Sequence, residues 1–340
     1  MSIADKLQEL IDSKADMKSA IAEKGVEVEG GLVTYADAIR KIQTGSGEGS
    51  DIDWSGVRFG GSKRFPLPPE EFYKCGNMDY MFTGCDFEDN EFAFKLGEIG
   101  GTFATSLRGC FQNVDVQWTD FSLWLDWDTS NVTDLSYCFK NSDLNFSRYG
   151  DDDVLYDYFG KVDDWDTSNV TNFEECFATD IRDCSLVTIP NWDFSKATNV
   201  SRMLDGQLRL HSIPRINLGS LSAGSEWMLI TTYWEPTSES SMTGYAADYK
   251  FLTDIGGFID LKLSMASNFI NHCPSLTVES LTNIIRYIYD WNTNPENLNI
   301  SDYTHNTIYD YVVLNFGEVN LNKLTDDQIA VAIAKGWTLI

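Results

Sequence analysis

One feature constrains this chain more than any other: a thirteen-residue unit that returns almost unchanged. Trp127-Asp-Thr-Ser-Asn-Val-Thr-Asp-Leu-Ser-Tyr-Cys-Phe139 recurs as Trp165-Asp-Thr-Ser-Asn-Val-Thr-Asn-Phe-Glu-Glu-Cys-Phe177. A third copy, Trp192-Asp-Phe-Ser-Lys-Ala-Thr-Asn-Val-Ser-Arg-Met-Leu204, aligns without a gap. Weaker upstream copies keep only the end of the unit, as Met78-Asp-Tyr-Met-Phe82 and Leu107-Arg-Gly-Cys-Phe111. The closing aromatic or Leu therefore stands at 82, 111, 139, 177 and 204, in steps of 29, 28, 38 and 27 residues. Such units cannot bury an apolar face alone and must stack on their neighbours. The spacing predicts a strand–turn–short-helix coil, with an insertion in the longest step.

The position of each residue type follows from stacking. Val132, Leu135 and Phe139, like Val170, Phe173 and Phe177, lie three and four apart, which predicts one inward face of a short helical turn. Asp128 and Thr129/Ser130 are expected to supply side-chain oxygens to the turn before that helix. Cys110, Cys138 and Cys176 share a slot with Met81 and Met203, so that slot reads as small and apolar rather than nucleophilic. The seven cysteines contain no CxxC pair and no His at zinc-ligand spacing, against a disulfide framework or a metal site.

Charge narrows the partners. Fifty-two Asp and Glu against 25 Lys and Arg give a net charge of −27, while 43% apolar residues suffice for a core. Phosphate recognition needs clustered cations, so nucleic acid and anionic membrane surfaces are not expected partners. No apolar run reaches the length of a transmembrane helix. The first residues mix charged and apolar side chains and lack the apolar stretch of a signal peptide, so synthesis in the cytoplasm without ordinary export is the expectation.

Before the repeats, residues 3–24 read as an amphipathic helix with Ile3, Leu7, Leu10, Met17 and Ile21 on one stripe. Gly25 stops it, and a second short helix follows Thr34. Residues 1–43 thus form a helical module, and 44–50, rich in Gly and Ser, a flexible linker. The module reads either as a hairpin packed on the following domain or as a docking and oligomerisation element. Residues 51–274 carry the repeats, with an insertion near 141–164. Residues 275–340 close the array: Thr277 starts a helix with Leu281, Ile284, Ile285, Ile288 and Trp291 on its apolar face. Thr325 to Gln328 form a capping box, Gly336 ends that helix, and Trp337 to Ile340 are a last strand. A polar-faced terminal unit is expected where a stack would otherwise expose its core.

The repeat resembles the leucine-rich repeats of BspA-like bacterial surface proteins, and the closing segment resembles the terminal repeat of such arrays in phage and prophage tail proteins. The helical pair before a Gly/Ser linker resembles the leader of tailed-phage virion proteins. The resemblance implies an α/β solenoid, an irregular leucine-rich-repeat array behind a short helical module. It also implies a non-enzymatic virion component made in the host cytoplasm and attached to other virion proteins, or to copies of itself, through residues 1–43. The repeats would then bind a host-surface glycan or another virion protein. A purely architectural adaptor or head decoration and a polysaccharide depolymerase are the alternatives.

Histidines 211, 272 and 305 are scattered, and glycine doublets read as turns. Asn131, Asn169 and Asn299 match the glycosylation pattern, which has no use in an unexported chain. Residues 111–166 stand apart, with thirteen Asp and thirteen aromatics against Lys140, Arg148 and Lys161. A solvated loop is the plain reading. Trp118, Trp124, Tyr149, Asp151, Asp152, Asp153, Tyr156, Asp157 and Tyr158 are the candidate binding residues, because exposed aromatics beside carboxylates suit sugars. Clustered Asp also suits Ca²⁺, and a hidden carboxylate pair suits glycoside hydrolysis. No other cofactor is expected.

Overall fold

The fold is that of a computed structural model, which describes residues 58, 76–85, 104–114, 125–142, 147–149, 155–157, 159–179, 186–221, 232–238, 241–246, 249–261, 270–293 and 313–340. The chain divides into two compact units, Met1–Asp53 and Trp54–Ile340. The helical module, the linker and Ile3, Leu7, Leu10, Met17 and Ile21 lie outside the described residues. The described residues all belong to the second unit.

The five copies of the repeat are laid side by side in register. Single parallel bridges join Asn77 to Ser106, Ser106 to Asp134, Asp134 to Asn172 and Asn172 to Asn199. Around each bridge the amides follow one repeating pattern. The residue before it is Thr in four copies, and both its amide and its hydroxyl donate to the same residue's carbonyl in the copy before: Thr133 to Thr105 at 2.9 and 3.1 Å, Thr171 to Thr133 at 2.9 and 3.2 Å. The first, third and fifth amides after the bridge donate to the next copy, as from Leu135, Tyr137 and Phe139 to Asn172, Glu174 and Cys176 at 2.8–2.9 Å. The second bonds the bridge residue's own side chain, as Ser136 to Asp134 at 2.8 Å, and the fourth bonds locally, as Cys138 to Leu135 at 3.1 Å.

This pattern excludes the expected short helix. Residues 136–141 are consecutive turns, because the third residue after each bridge is left-handed: φ is +57° at Tyr80, +59° at Gly109 and Tyr137, +50° at Glu175 and +54° at Arg202. A left-handed residue breaks the i→i−4 ladder, and amides aimed at the next copy cannot close it. The three-and-four spacing is nonetheless real, since Val132, Leu135, Cys138 and Phe139 are all buried.

Inside, like stacks on like. Phe82, Phe111, Phe139 and Phe177 form one column with centroids 5.5–5.7 Å apart and rings within 12° of parallel. Trp127, Trp165 and Trp192 form a second at 6.0–6.2 Å, and the Trp165 and Trp192 indoles donate to the carbonyls of Leu125 and Val162. Offset-stacked aromatic pairs of this kind contribute about 0.5–1.5 kcal/mol each beyond their burial. Asp128, Asp166 and Asp193 accept from the amide two residues on, as expected. Thr129 and Thr167 instead donate to Asp carbonyls of the next copy at 3.1 Å, so they tie copies together rather than capping a helix.

Strands β1 (Ser147–Tyr149) and β2 (Leu155–Asp157) form an antiparallel hairpin in the first insertion. Strands β3 (Ser212–Ile213) and β4 (Ile216–Asn217) precede a second hairpin, β5 (Thr232–Ser238) and β6 (Ser241–Ala246). Strands β7 (Asp254–Ile255) and β8 (Phe258–Ile259) then pair in parallel with β3 and β4. A second ladder thereby emerges beyond the last recognisable copy of the sequence unit. Leu186, Leu210, Leu252 and Leu276 are buried, and the amide of the residue after each of the last three donates to the copy before, at 2.7–3.0 Å.

Helix α1 (Val278–Tyr287) is capped by Thr277, and its expected apolar residues are all buried. Strand β9 (Val313–Leu314), helix α2 (Gly317–Leu321), helix α3 (Asp326–Ala334) and strand β10 (Thr338–Leu339) complete the end, with β9 and β10 parallel. The capping box forms between Thr325 and Gln328. The polar outer face does not: α3 buries Ala332 and leaves Val331 and Ile333 47% and 59% exposed. Its polar residues sit in the first turn, where they serve the cap rather than the outer surface.

Candidate functional site

The candidate binding residues read from the sequence fall in and around the first insertion. Trp118, Trp124, Asp151, Asp152, Asp153 and Tyr158 lie outside the described residues. Tyr149, Tyr156 and Asp157 belong to the β1–β2 hairpin, whose register sets Tyr149 against Leu155, Tyr156 against Arg148 and Asp157 against Ser147. Among the described residues no group of three His, Cys, Asp or Glu could hold a metal ion. His211 meets the ring of Phe251 edge-on at 5.7 Å, and the His272 carbonyl accepts from the Tyr249 amide at 2.8 Å. The five described cysteines are buried, and burial pushes the Cys138 and Cys176 thiols up, away from the thiolate form.

The repeats themselves build a different candidate. The left-handed slot holds Tyr80, Gly109, Tyr137, Glu175 and Arg202, and the slot before it Asp79, Arg108, Ser136, Glu174 and Ser201. Ser136, Glu175 and Ser201 are buried, whereas Arg108 and Arg202 are exposed and Tyr80, Tyr137 and Glu174 half-buried. The Arg58 guanidinium lies 4.8 Å from the Tyr80 centroid, and that of Arg108 5.8 Å from Tyr80 and 5.5 Å from Tyr137. The Lys140 ammonium lies 5.4 Å from the Tyr137 centroid. Cation and ring thus alternate along the stack, each contact contributing about 0.5–1 kcal/mol where solvent reaches it. Gly109 makes this close approach feasible: a Cβ there would stand 2.3 Å from carbons of the Tyr80 ring.

Further along the same face the sign reverses. The Tyr137 hydroxyl donates to Glu174 at 2.8 Å, and burial together with Glu174 pushes that phenol up to about 12. The largely buried Glu175 carboxylate is bonded by Lys140 from the copy before and lies 3.5 Å from Arg202 of the copy after. Arg202 also holds Asp205 at 2.5 Å; burial raises that carboxyl and Arg202 opposes the rise. One face therefore runs from guanidinium-and-phenol to carboxylate across successive copies. Its carboxylates are engaged by Lys140, Arg202 and the Tyr137 hydroxyl, so cations stand along the whole row on a fixed backbone, a geometry suited to recognition.

Sequence reasoning passed over these residues because they occupy the variable slots inside an otherwise constant frame. The signal was present: a slot that holds Tyr, Gly, Tyr, Glu and Arg in five aligned copies is not a core slot.

A family described as "Mycoplasma protein of unknown function, DUF285" is similar to residues 105–213 of the chain. That span contains the three long copies of the repeat. No curated protein and no solved structure matches the chain. Among the described residues no helix is long and apolar enough to cross a membrane.

Proposed function

We propose that the chain is a structural, non-enzymatic virion component of a tailed bacteriophage. Its second unit is an irregular leucine-rich-repeat solenoid of the BspA-like type that presents a recognition face to a host-surface glycan or another virion protein. Residues 1–43 attach it to the particle or bundle it with sister chains through Ile3, Leu7, Leu10, Met17 and Ile21. The observation that carries this reading is the in-register ladder from Asn77 to Asn199, with its row of charged and aromatic side chains from Tyr80 to Arg202. A lattice of this kind turns variable positions into a long rigid surface, which suits binding more than chemistry. The order of helical module, flexible linker and repeats supports the attachment part of the reading.

Deleting residues 1–43 tests the attachment: the truncated chain is expected to stay folded by circular dichroism yet be missing from purified particles. Its normal incorporation overturns the docking role. Residues 51–340 are expected to bind host cells and to compete with particles for them. Failure to bind, with incorporation of the full chain intact, leaves only the architectural role.

A further inference from the structure

Several described cations are held by carboxylates or by backbone carbonyls. Lys140, Lys161 and Arg202 meet carboxylates, while Lys323 and Lys335 are held by backbone carbonyls. Arg215 and Arg286 meet no carboxylate among the described residues, although acids outnumber bases two to one in the chain. Arg215 instead addresses a phenol. Arg215, between β3 and β4, donates from Nη1 to the Tyr287 hydroxyl at 2.8 Å, with its guanidinium 4.9 Å from the ring centroid. Arg286, the neighbour of Tyr287 in the last turn of α1, donates to Asn283 at 3.4 Å. The two guanidiniums, Arg215 foremost, pull the Tyr287 phenol below its usual range.

The arrangement is held from behind. A Cβ at Gly257, where φ is +115°, would stand 2.5 Å from a carbon of the Tyr287 ring, and one at Gly256 2.5 Å from the Arg215 amide nitrogen. The Asp260 amide donates to the Tyr287 carbonyl at 3.0 Å. The Lys335 ammonium is bonded to the carbonyls of Arg286 and Ile288. β3–β4, β7–β8 and α1 therefore fix the exposed Arg215 guanidinium on the Tyr287 phenol, with Arg286 exposed at the neighbouring position of α1.

We propose that Arg215, Arg286 and Tyr287 form a clasp for an oxyanion, the carboxylate or phosphate of an acidic saccharide. Guanidiniums present paired donors that match either group, and the phenol adds a polar contact beside an aromatic edge for the sugar. The saccharide part rests on the glycan-binding reading of the proposed function; the oxyanion part does not.

The test is calorimetric titration of the full-length chain with glucuronate, glucose, glucose 6-phosphate and inorganic phosphate. Glucuronate or glucose 6-phosphate is expected to bind, glucose at least about tenfold more weakly, as loss of a charge-assisted bond implies. Whichever acid binds better identifies the group. Arg286→Gln, at an exposed position, is expected to weaken binding of the acid about tenfold with an unchanged melting temperature, and Tyr287→Phe by less. Three outcomes overturn the clasp: no probe binds, glucose binds as well as the acids, or Arg286→Gln binds like the parent. Inorganic phosphate binding as well as either sugar acid overturns the saccharide part. Host-cell binding by the full chain separates the two readings. If it persists while the clasp fails, the glycan reading stands; if cell binding is also absent, both fall.

Discussion

Residues 76–204 and residues 249–340 hold their copies together in different ways. In the first region each residue lies over its own counterpart: Phe on Phe, Trp on Trp, Thr carbonyl under Thr amide. In the second the match is kept only at Leu252 and Leu276 with Thr253 and Thr277, and regular elements do most of the joining. The hydroxyl of the buried Ser280 accepts from Ile255 in β7 and donates to the Thr253 carbonyl, so a helix occupies the place of a strand. The buried Asn320 amide reaches the carbonyls of Ile270 and Cys273, and the Trp337 indole reaches that of Tyr289. Near-identical copies propagate one contact; divergent copies need a separate contact at each step. A stack of the first kind is extendable and depends on its weakest neighbour contact, whereas the second kind terminates.

The sharpest way to break this comparison is at the centre of each region. Trp165→Ala removes three ring contacts and the bond to Leu125, and is expected to cost about 3–5 kcal/mol. Because the ladder is a nearest-neighbour chain, urea unfolding is also expected to lose its single transition, the copies on either side melting apart. Ile284→Ala in α1 is expected to cost about 2–4 kcal/mol and to keep one transition. A single transition for Trp165→Ala would mean that the two regions are equally coupled.

A smaller effect comes from Tyr137, whose folded-state phenol is pushed up to about 12 by burial and Glu174. A raised value means that the folded form holds the proton more tightly. Its contribution is therefore present below the ordinary tyrosine range near pH 10 and lost as pH rises towards 12. With solvent screening the loss is about 1 kcal/mol at most. Stability is expected to fall over that window, and Tyr137→Phe to flatten the fall; an unchanged slope in the variant would place the titration elsewhere.

The smallest contrast compares the two kinds of polar support. Thr325→Ala removes a helix cap and is expected to cost about 1 kcal/mol. Thr133→Val leaves the amide bond to Thr105 and removes only the exposed hydroxyl bond, so about 0.5 kcal/mol is expected. Chemical denaturation of both variants checks the order. If Thr133→Val costs more, the threonine ladder is cooperative along the stack.

Much of the frame was legible in the residues. Val132, Leu135, Cys138 and Phe139 read as inward because the same types return at the same offsets, and a stacked unit buries what it repeats. Thr277, Thr325 and Gly336 read as helix ends because their side chains, or the lack of one, act locally. The left-handed residue three past each bridge was not legible. Tyr, Gly, Glu and Arg all occupy it, so the backbone state is imposed by the neighbouring copies and not by any side chain. The second ladder was hidden for another reason. Leu210, Ile213 and Ile216 lie beside Leu252, Ile255 and Phe258, but an insertion containing the β5–β6 hairpin separates them and destroys the period.

The candidate sites divide along the same line. The Asp-rich insertion was visible as composition. The row from Arg58 to Asp205 and the clasp of Arg215 with Tyr287 were not, since each draws its members from different copies.

By itself the sequence determined the period, the inward slots, the apolar use of cysteine and the capped end, because these depend on side-chain type and near-neighbour spacing. Tertiary structure decided the backbone state of each turn, the pairing across the second insertion, and which charges face one another. Those depend on amides and side chains of adjacent copies, tens of residues away, and no local spacing encodes them.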